Sequence, residues 1–232
     1  MSKKYTGSLI AFEGTDASGK SVQTKLLVKS LKDQDKHVAV FDFPRYESMP
    51  GQLIAKYLRG EFGSINSISP YFVALLFALD RAEVAHAIGD FLKKGYIVIC
   101  NRYTPSSVAH QGAKIKEGGK KQDQFIKWVE NLEYQEHKIP RESCVIYLDM
   151  PNEKSSQLQK HREKPSYLRG RADIQEADTE YQQKVRTLYN KLASTKDNWI
   201  TISSVDKDGD LYTPDIIHNE VLKALKISSR VQ

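Results

Sequence analysis

Gly14-Thr-Asp-Ala-Ser-Gly19-Lys20-Ser21 follows the apolar run Ser8-Leu-Ile-Ala-Phe-Glu13 and opens a helical pattern that continues to Lys32. The eight residues fit the spacing G-x-x-x-x-G-K-[ST], in which a glycine-rich turn between a strand and a helix wraps phosphate oxygens with backbone N–H groups. The helix start adds the positive end of its dipole. This spacing carries Lys20 to the β- and γ-phosphates of a nucleoside triphosphate and offers the Ser21 hydroxyl to Mg²⁺. Position matters as much as letters, because only the order strand, turn, helix aims these groups at one anion. Gly14, Thr15, Asp16, Ala17, Ser18, Gly19, Lys20 and Ser21 are therefore the candidate ATP-binding set.

Outward from that loop, apolar runs predict strands over 37–43, 96–100, 144–149 and 199–202, with Pro44 stopping the first of these. Helical patterns cover 49–58, 105–111, 122–134, 151–160, 176–193 and 214–225. Ser69 as N-cap with Pro70 at the first helical position predicts one long helix to about Lys94, ended by Gly95. Strands alternating with helices imply a parallel sheet with ligands at the carboxyl ends of its strands. The stretch 162–175 has Arg, Gly and Pro without periodicity and reads as a mobile loop between helices. No repeat or linker interrupts the chain, so residues 1–232 read as a single domain.

Hydrophobic residues make up 40% and charged residues 28% of the 232, which suits a packed globular core and excludes disordered and fibrous classes. No apolar stretch approaches the roughly 20 residues of a membrane span, and no apolar signal core follows Met1, so a cytoplasmic protein without a membrane partner is expected. Cys100 and Cys144 lie in strand-like runs and read as buried thiols. The net charge of +6 could serve nucleic acid or small phosphorylated ligands. Basic residues are scattered, and the densest group, from His161-Arg-Glu-Lys164 to Arg169 and Arg171, has acidic neighbours. A local anion site fits this better than a nucleic-acid track. No His or Cys stands at metal-ligand spacing, and phosphoryl transfer needs little covalent help from the protein.

Phe12-Glu-Gly-Thr-Asp-Ala-Ser-Gly-Lys-Ser-Val-Gln23, Phe43-Pro-Arg45, Leu76-Phe77-Ala-Leu-Asp80-Arg81, Asn101-Arg-Tyr103 and Gln111-Gly-Ala-Lys114 occur in one order along nearly the whole chain. Together they resemble the thymidylate kinase family of P-loop nucleoside monophosphate kinases. The resemblance implies a three-layer α/β/α P-loop kinase fold with a five-stranded parallel sheet and an Arg-bearing lid. It also implies transfer of a phosphoryl group from ATP to dTMP, with Mg²⁺, in dTTP synthesis, by a protein that is commonly a homodimer. Four departures stand out: Val22 replaces a usual Thr, Ala17-Ser18 supplies no loop Arg, Tyr46 stands where several members place the Arg seen here as Arg45, and Asn101 replaces a frequent Asp.

Carried over residue by residue, the resemblance makes Lys20, Arg102, Arg169 and Arg171 the catalytic candidates, with the two lid arginines replacing the missing loop Arg. Asp16 would approach the acceptor sugar's 3′-hydroxyl, although Asp also serves as an ordinary loop cap. Phe43, Arg45 and Arg102 would hold the acceptor and its phosphate. Phe77 and Arg81, four apart on one helix face, would stack on and donate to a pyrimidine, although Leu75-Leu76-Phe77 also reads as core. Gln111 would read the base edge or simply sit on the surface. Ser21 and Asn101 are the candidate metal neighbours. Two rival readings are another P-loop enzyme, such as a deoxynucleoside kinase or a polyphosphate-dependent nucleotide kinase, and a non-catalytic nucleic-acid-binding protein.

Overall fold

The computed structural model describes residues 5–115, 119–160 and 165–227. Strands β1 (Ser8–Glu13), β2 (Val38–Asp42), β3 (Ile97–Asn101), β4 (Cys144–Asp149) and β5 (Trp199–Ser203) form one parallel sheet in the order β2-β3-β1-β4-β5. All six residues of the central strand β1 are buried. Successive side chains of a strand point to opposite faces, so β1 must be apolar on both if helices cover both. On one face Ile10 and Phe12 meet Leu27 and Leu31 of α1 (Lys20–Lys32) and Ile217 and Val221 of α9 (Pro214–Ile227). On the other, Leu9 and Ala11 pack with Val98 of β3, Val145 of β4, and Ile88 and Leu92 from a helix described below. These are the three layers of an α/β/α fold.

The remaining described helices are α2 (Met49–Leu58), α3 (Pro70–Glu83), α4 (Ala85–Lys93), α5 (Thr104–Gly112), α6 (Lys120–Asn131), α7 (Asn152–Lys160) and α8 (Thr179–Thr195). The long helix expected from Pro70 to Lys94 is two helices. Val84, at φ −108° and ψ 6°, leaves the α region and separates α3 from α4. Val73 and Leu76 of α3 pack against Ile54, Tyr57 and Leu58 of α2, while Ile88 and Leu92 of α4 pack on the sheet. The break lets one stretch of sequence serve two cores, and a β-branched residue weakens the helix at that point. The expected helix over 122–134 also changes character: α6 ends at Asn131 and continues as a π-helical turn, Leu132–Glu136. Such turns re-aim a side chain, here that of Glu133, which is fully buried.

Both cysteines are buried and free. Among the described residues no helix is long and apolar enough to cross a membrane. Residues 161–164, including Arg162 of the expected lid, lie outside the described residues. From Pro165 onward the segment read as a mobile loop is fastened to α2. Arg59 Nη1 donates to the Tyr167 carbonyl at 2.6 Å and Ile174 N to the Leu58 carbonyl at 2.9 Å, around the 3₁₀ turn Ser166–Leu168.

Candidate active site

Backbone conformation shapes the phosphate loop before any side chain does. Gly14 has φ +144°, and a Cβ there would lie 2.6 Å from the Leu148 carbonyl oxygen, so only glycine lets the loop pass this close to β4. Gly19, at φ +91°, caps α1, whose first turn carries no acidic residue to offset the helix dipole. Lys20 Nζ donates to Gly14 O at 3.1 Å, to Thr15 O at 2.7 Å and to Ser18 Oγ at 3.3 Å, which holds its ammonium at the loop's mouth. The loop floors a cavity of about 850 Å³, also bordered by Phe43, Arg45, Asn101 and Arg102.

Asp16 and Arg102 join this cavity to a second one. Arg102 has φ +64°, a left-handed conformation that a non-glycine residue adopts only when its surroundings impose it. Its own N–H is bonded to Phe12 O at 3.0 Å, and Nη1 donates to Gly14 O, Ser106 Oγ and His110 Nε2, each at 3.2 Å. Nη2 forms an ion pair with Asp16. Burial alone would push the Asp16 carboxyl up, yet the Arg102 and Lys20 charges prevail and hold it well below the usual carboxylate range. Burial, aided by the Arg102 charge, brings His110 down to about 3, so its ring is neutral. Tyr181 OH donates to the His110 carbonyl at 2.8 Å and stands 3.3 Å from Nδ1, an arrangement that puts the ring proton on Nδ1 and leaves Nε2 to accept from Arg102. Beneath the pair, buried Glu13 accepts from Tyr103 N at 2.7 Å, Ser106 Oγ at 2.6 Å and Tyr189 OH at 2.8 Å.

The second cavity is a slot whose wall includes Pro44, Leu58, Phe77, Ser107, Gln111 and Tyr167. Phe77 reconciles its two sequence readings, since it packs against the α2–α3 core and also faces the slot. Gln111 is buried rather than on the surface, and its Oε1 has no hydrogen-bond partner. An orphaned buried acceptor costs about 1–3 kcal/mol, which a ligand donor would relieve. Tyr46 and Tyr167 stack at 3.9 Å with a 14° interplanar angle, closing the slot between the β2–α2 loop and the lid. Asp173 accepts from Gln175 N at 2.8 Å and from Tyr167 OH at 3.2 Å, and burial together with the Asp16 charge raises its carboxyl to about 6.

The strand–loop–helix unit and its neighbouring slot belong to a chain that the thymidylate kinase family model matches over residues 12–211. The chain belongs to the thymidylate kinase family. It is 33% identical over 223 residues to the thymidylate kinase of Plasmodium falciparum, covering 95% of this chain and 90% of that one. It is 32% identical over 187 residues to the thymidylate kinase of Mycobacterium tuberculosis, with 80% and 86% covered. A solved structure of the Candida albicans thymidylate kinase superposes with a TM-score of 0.73 at 23% identity over 99% of this chain and 96% of that one, a likeness of fold.

Within this family frame the structure brings Asp16, Lys20, Ser21, Phe43, Phe77, Asn101, Arg102 and Gln111 around two connected cavities. Arg81 departs from the expectation. It is 1% exposed, its Nε lies 3.0 Å from Glu133 Oε1, and Nη2 donates to Ser107 Oγ at 2.6 Å. A cation this deep needs a carboxylate, and Glu133 takes the guanidinium away from the slot's lining. Arg45 borders the phosphate cavity, but its Nη2 lies 3.0 Å from the Asp80 carboxylate and 2.5 Å from that of Glu83 and donates to the Asp80 carbonyl at 2.9 Å, so two carboxylates compete with any anion for it. Arg169 and Arg171 do not line the phosphate cavity. Arg171 lies 3.7 Å from Glu61, and Arg169, exposed at φ +49°, borders a groove with Tyr46 and Arg59.

Asn101 Nδ2 donates to Ser21 Oγ at 3.1 Å, and its Oδ1 is buried without a partner. A hydroxyl and an orphaned amide oxygen beside a phosphate loop are hard oxygen donors that fit Mg²⁺. Among the described residues no group of three or more His, Cys, Asp or Glu is placed to hold a metal ion. Sequence reasoning missed Ser106, His110, Tyr167 and Asp173. Ser106 and His110 stand four apart on α5, a helix-face spacing that could have paired them; nothing local marks Tyr167 or Asp173.

Proposed function

We infer that the protein transfers the γ-phosphoryl group of ATP to dTMP, giving ADP and dTDP for dTTP synthesis in the cytoplasm. The observation that carries this reading is the meeting of the phosphate-loop cavity and the Gln111 slot at the Asp16–Arg102 pair. A two-substrate enzyme needs two sites that converge on one transferring group. Phe77 offers a ring face to the thymine and Gln111 Oε1 an acceptor to its N3–H, while Arg81 steadies Ser107 in the wall from behind. Arg102 binds the acceptor phosphate once it exchanges part of its hold on Asp16, and the released Asp16 carboxylate receives the 3′-hydroxyl. Phe43 and Arg45 border the path between the sites. Lys20 turns from loop carbonyls to the β- and γ-phosphates.

Ser21 and Asn101 would hold Mg²⁺, which supplies neutralising charge to the phosphates. Arg169 or Arg171 closes over ATP from the lid; unchanged kcat in both Arg169→Ala and Arg171→Ala would remove that assignment. A homodimer through α3, where Phe72 and Leu79 are exposed, is checked by sedimentation. The deciding experiment is a coupled ADP-release assay across dTMP, dUMP, other monophosphates, nucleosides and polyphosphate. Turnover with dTMP is expected, and turnover with any other acceptor but not dTMP overturns the reading in favour of a different P-loop kinase.

A further inference from the structure

Two strands end side by side at the phosphate loop, and they exchange roles. Asn101, the last residue of β3, is in register with Asp42, the last residue of β2. Asn101 Nδ2 donates to Asp42 Oδ1 at 2.8 Å as well as to Ser21 Oγ at 3.1 Å. Two acceptors on one side fix the amide, since a flip would set its oxygen against the Asp42 carboxylate. The remaining atom, Oδ1, is the buried one without a partner. Asp42 itself borders the phosphate cavity, and among the described residues no lysine or arginine pairs with it.

A divalent cation at such a loop is ordinarily served by the loop hydroxyl and a nearby aspartate, and a neutral amide at the end of β3 leaves that charge unsupplied. Adjacent strands are about 4.8 Å apart, so a carboxylate one strand over stays within reach of a metal-bound water. We propose that Asp42 supplies the missing negative charge of the metal shell, acting through Asn101, which it orients so that Oδ1 and Ser21 Oγ are left for the cation. Asp42 is thus a positioning residue and Asn101 the group it positions. The inference rests on the reading of this site as one that binds a metal–nucleotide complex.

The test measures Mn²⁺ binding to the protein–ADP complex by electron paramagnetic resonance, and ADP binding with and without Mg²⁺ by calorimetry. The proteins are the wild type, Asp42→Asn, Asn101→Asp and the exchange Asp42→Asn/Asn101→Asp. Outer partners of a metal site are typically worth about 10–100-fold in affinity, so Asp42→Asn is expected to weaken Mn²⁺ binding by about 10-fold. ADP binding without metal should stay near the wild-type value. The exchange variant, which returns one carboxylate and one amide to the pair, should recover Mn²⁺ binding. Asp42 is exposed and Asn101 half-buried, and matching melting curves check that all four proteins fold. Undiminished Mn²⁺ binding in Asp42→Asn overturns the proposal, as does an exchange variant that fails to recover. A wild type whose ADP affinity ignores Mg²⁺ instead overturns the underlying metal–nucleotide reading, an outcome visible before any variant is compared.

Discussion

Eight consecutive residues build the phosphate loop, whereas the slot beside it draws its wall from the β2–α2 loop, α2, α3, α5 and the lid. In the loop, function resides in backbone: Gly14 and Gly19 set the curve, and Lys20 bonds to carbonyls of its own turn. In the slot, function resides in side chains held by other buried side chains, such as Ser107 by Arg81 and Arg81 by Glu133. A site made of one segment can lose its chemistry and keep its fold. A site made of several buried polar partners risks both together.

The sharpest way to break this contrast is to remove a buried support on the slot side. Arg81→Ala leaves Glu133 as an uncompensated buried charge, and removal of one member of such a pair costs about 3–5 kcal/mol. Urea unfolding should register that loss; a midpoint equal to the wild type would mean the slot is not held in this way. Lys20→Ala on the loop side should do the reverse. Loss of one preorganised donor to a transferring group costs about 10²–10³-fold in kcat. The unfolding midpoint should move far less than for Arg81→Ala, and a comparable fall in both would erase the distinction.

Gln111→Leu tests the slot's chemistry apart from its stability. Removal of the acceptor should lower kcat/KM for dTMP by the equivalent of about 1–3 kcal/mol, while the free protein holds its stability because Oε1 has no partner to lose. Unchanged kcat/KM would mean Gln111 does not read the base.

The smallest effect expected is a change of slope with pH. Asp173 rises from 3.8 to about 6 on folding, so the folded state keeps a proton that the unfolded state releases. Its contribution to stability is therefore fully present below about pH 4, declines as pH rises towards about 6 and is flat beyond. Asp16, held low, acts in the opposite sense, with a contribution present at neutral pH and lost on acidification. Asp173→Asn should make stability rise more steeply, or fall less, between pH 4 and 6 than in the wild type. Parallel curves would show that Asp173 does not titrate as its burial implies.

Legibility in the sequence follows the same division. The strands β1 and β4 and the helices α1 and α2 were readable to the residue, because each carries its own periodicity and its own stops. The break at Val84 was not, since Ala85 to Lys93 continues a helical pattern and only the separate cores under α3 and α4 require the turn. The partner of Arg81 was hidden for a related reason. The spacing of Arg81 from Phe77 is correct for one helix face, but Glu133 lies 52 residues away and reaches it through a π-helical turn that no propensity announces.

The amino-acid sequence by itself determined the phosphate loop, the alternation that makes a doubly covered parallel sheet, and the family to which the chain belongs, because these depend on neighbours along the chain and on hydrophobic period. Tertiary structure alone decided that Arg81 serves Glu133, that Tyr46 stacks on Tyr167, and that Asp42 stands beside Asn101. Burial is the physical reason. Buried charges and polar groups must find partners through space, and those partners are set by which strands and helices the packed core brings together. The glycine loop was therefore visible in eight letters, and what flanks it was visible only once the chain had folded around it.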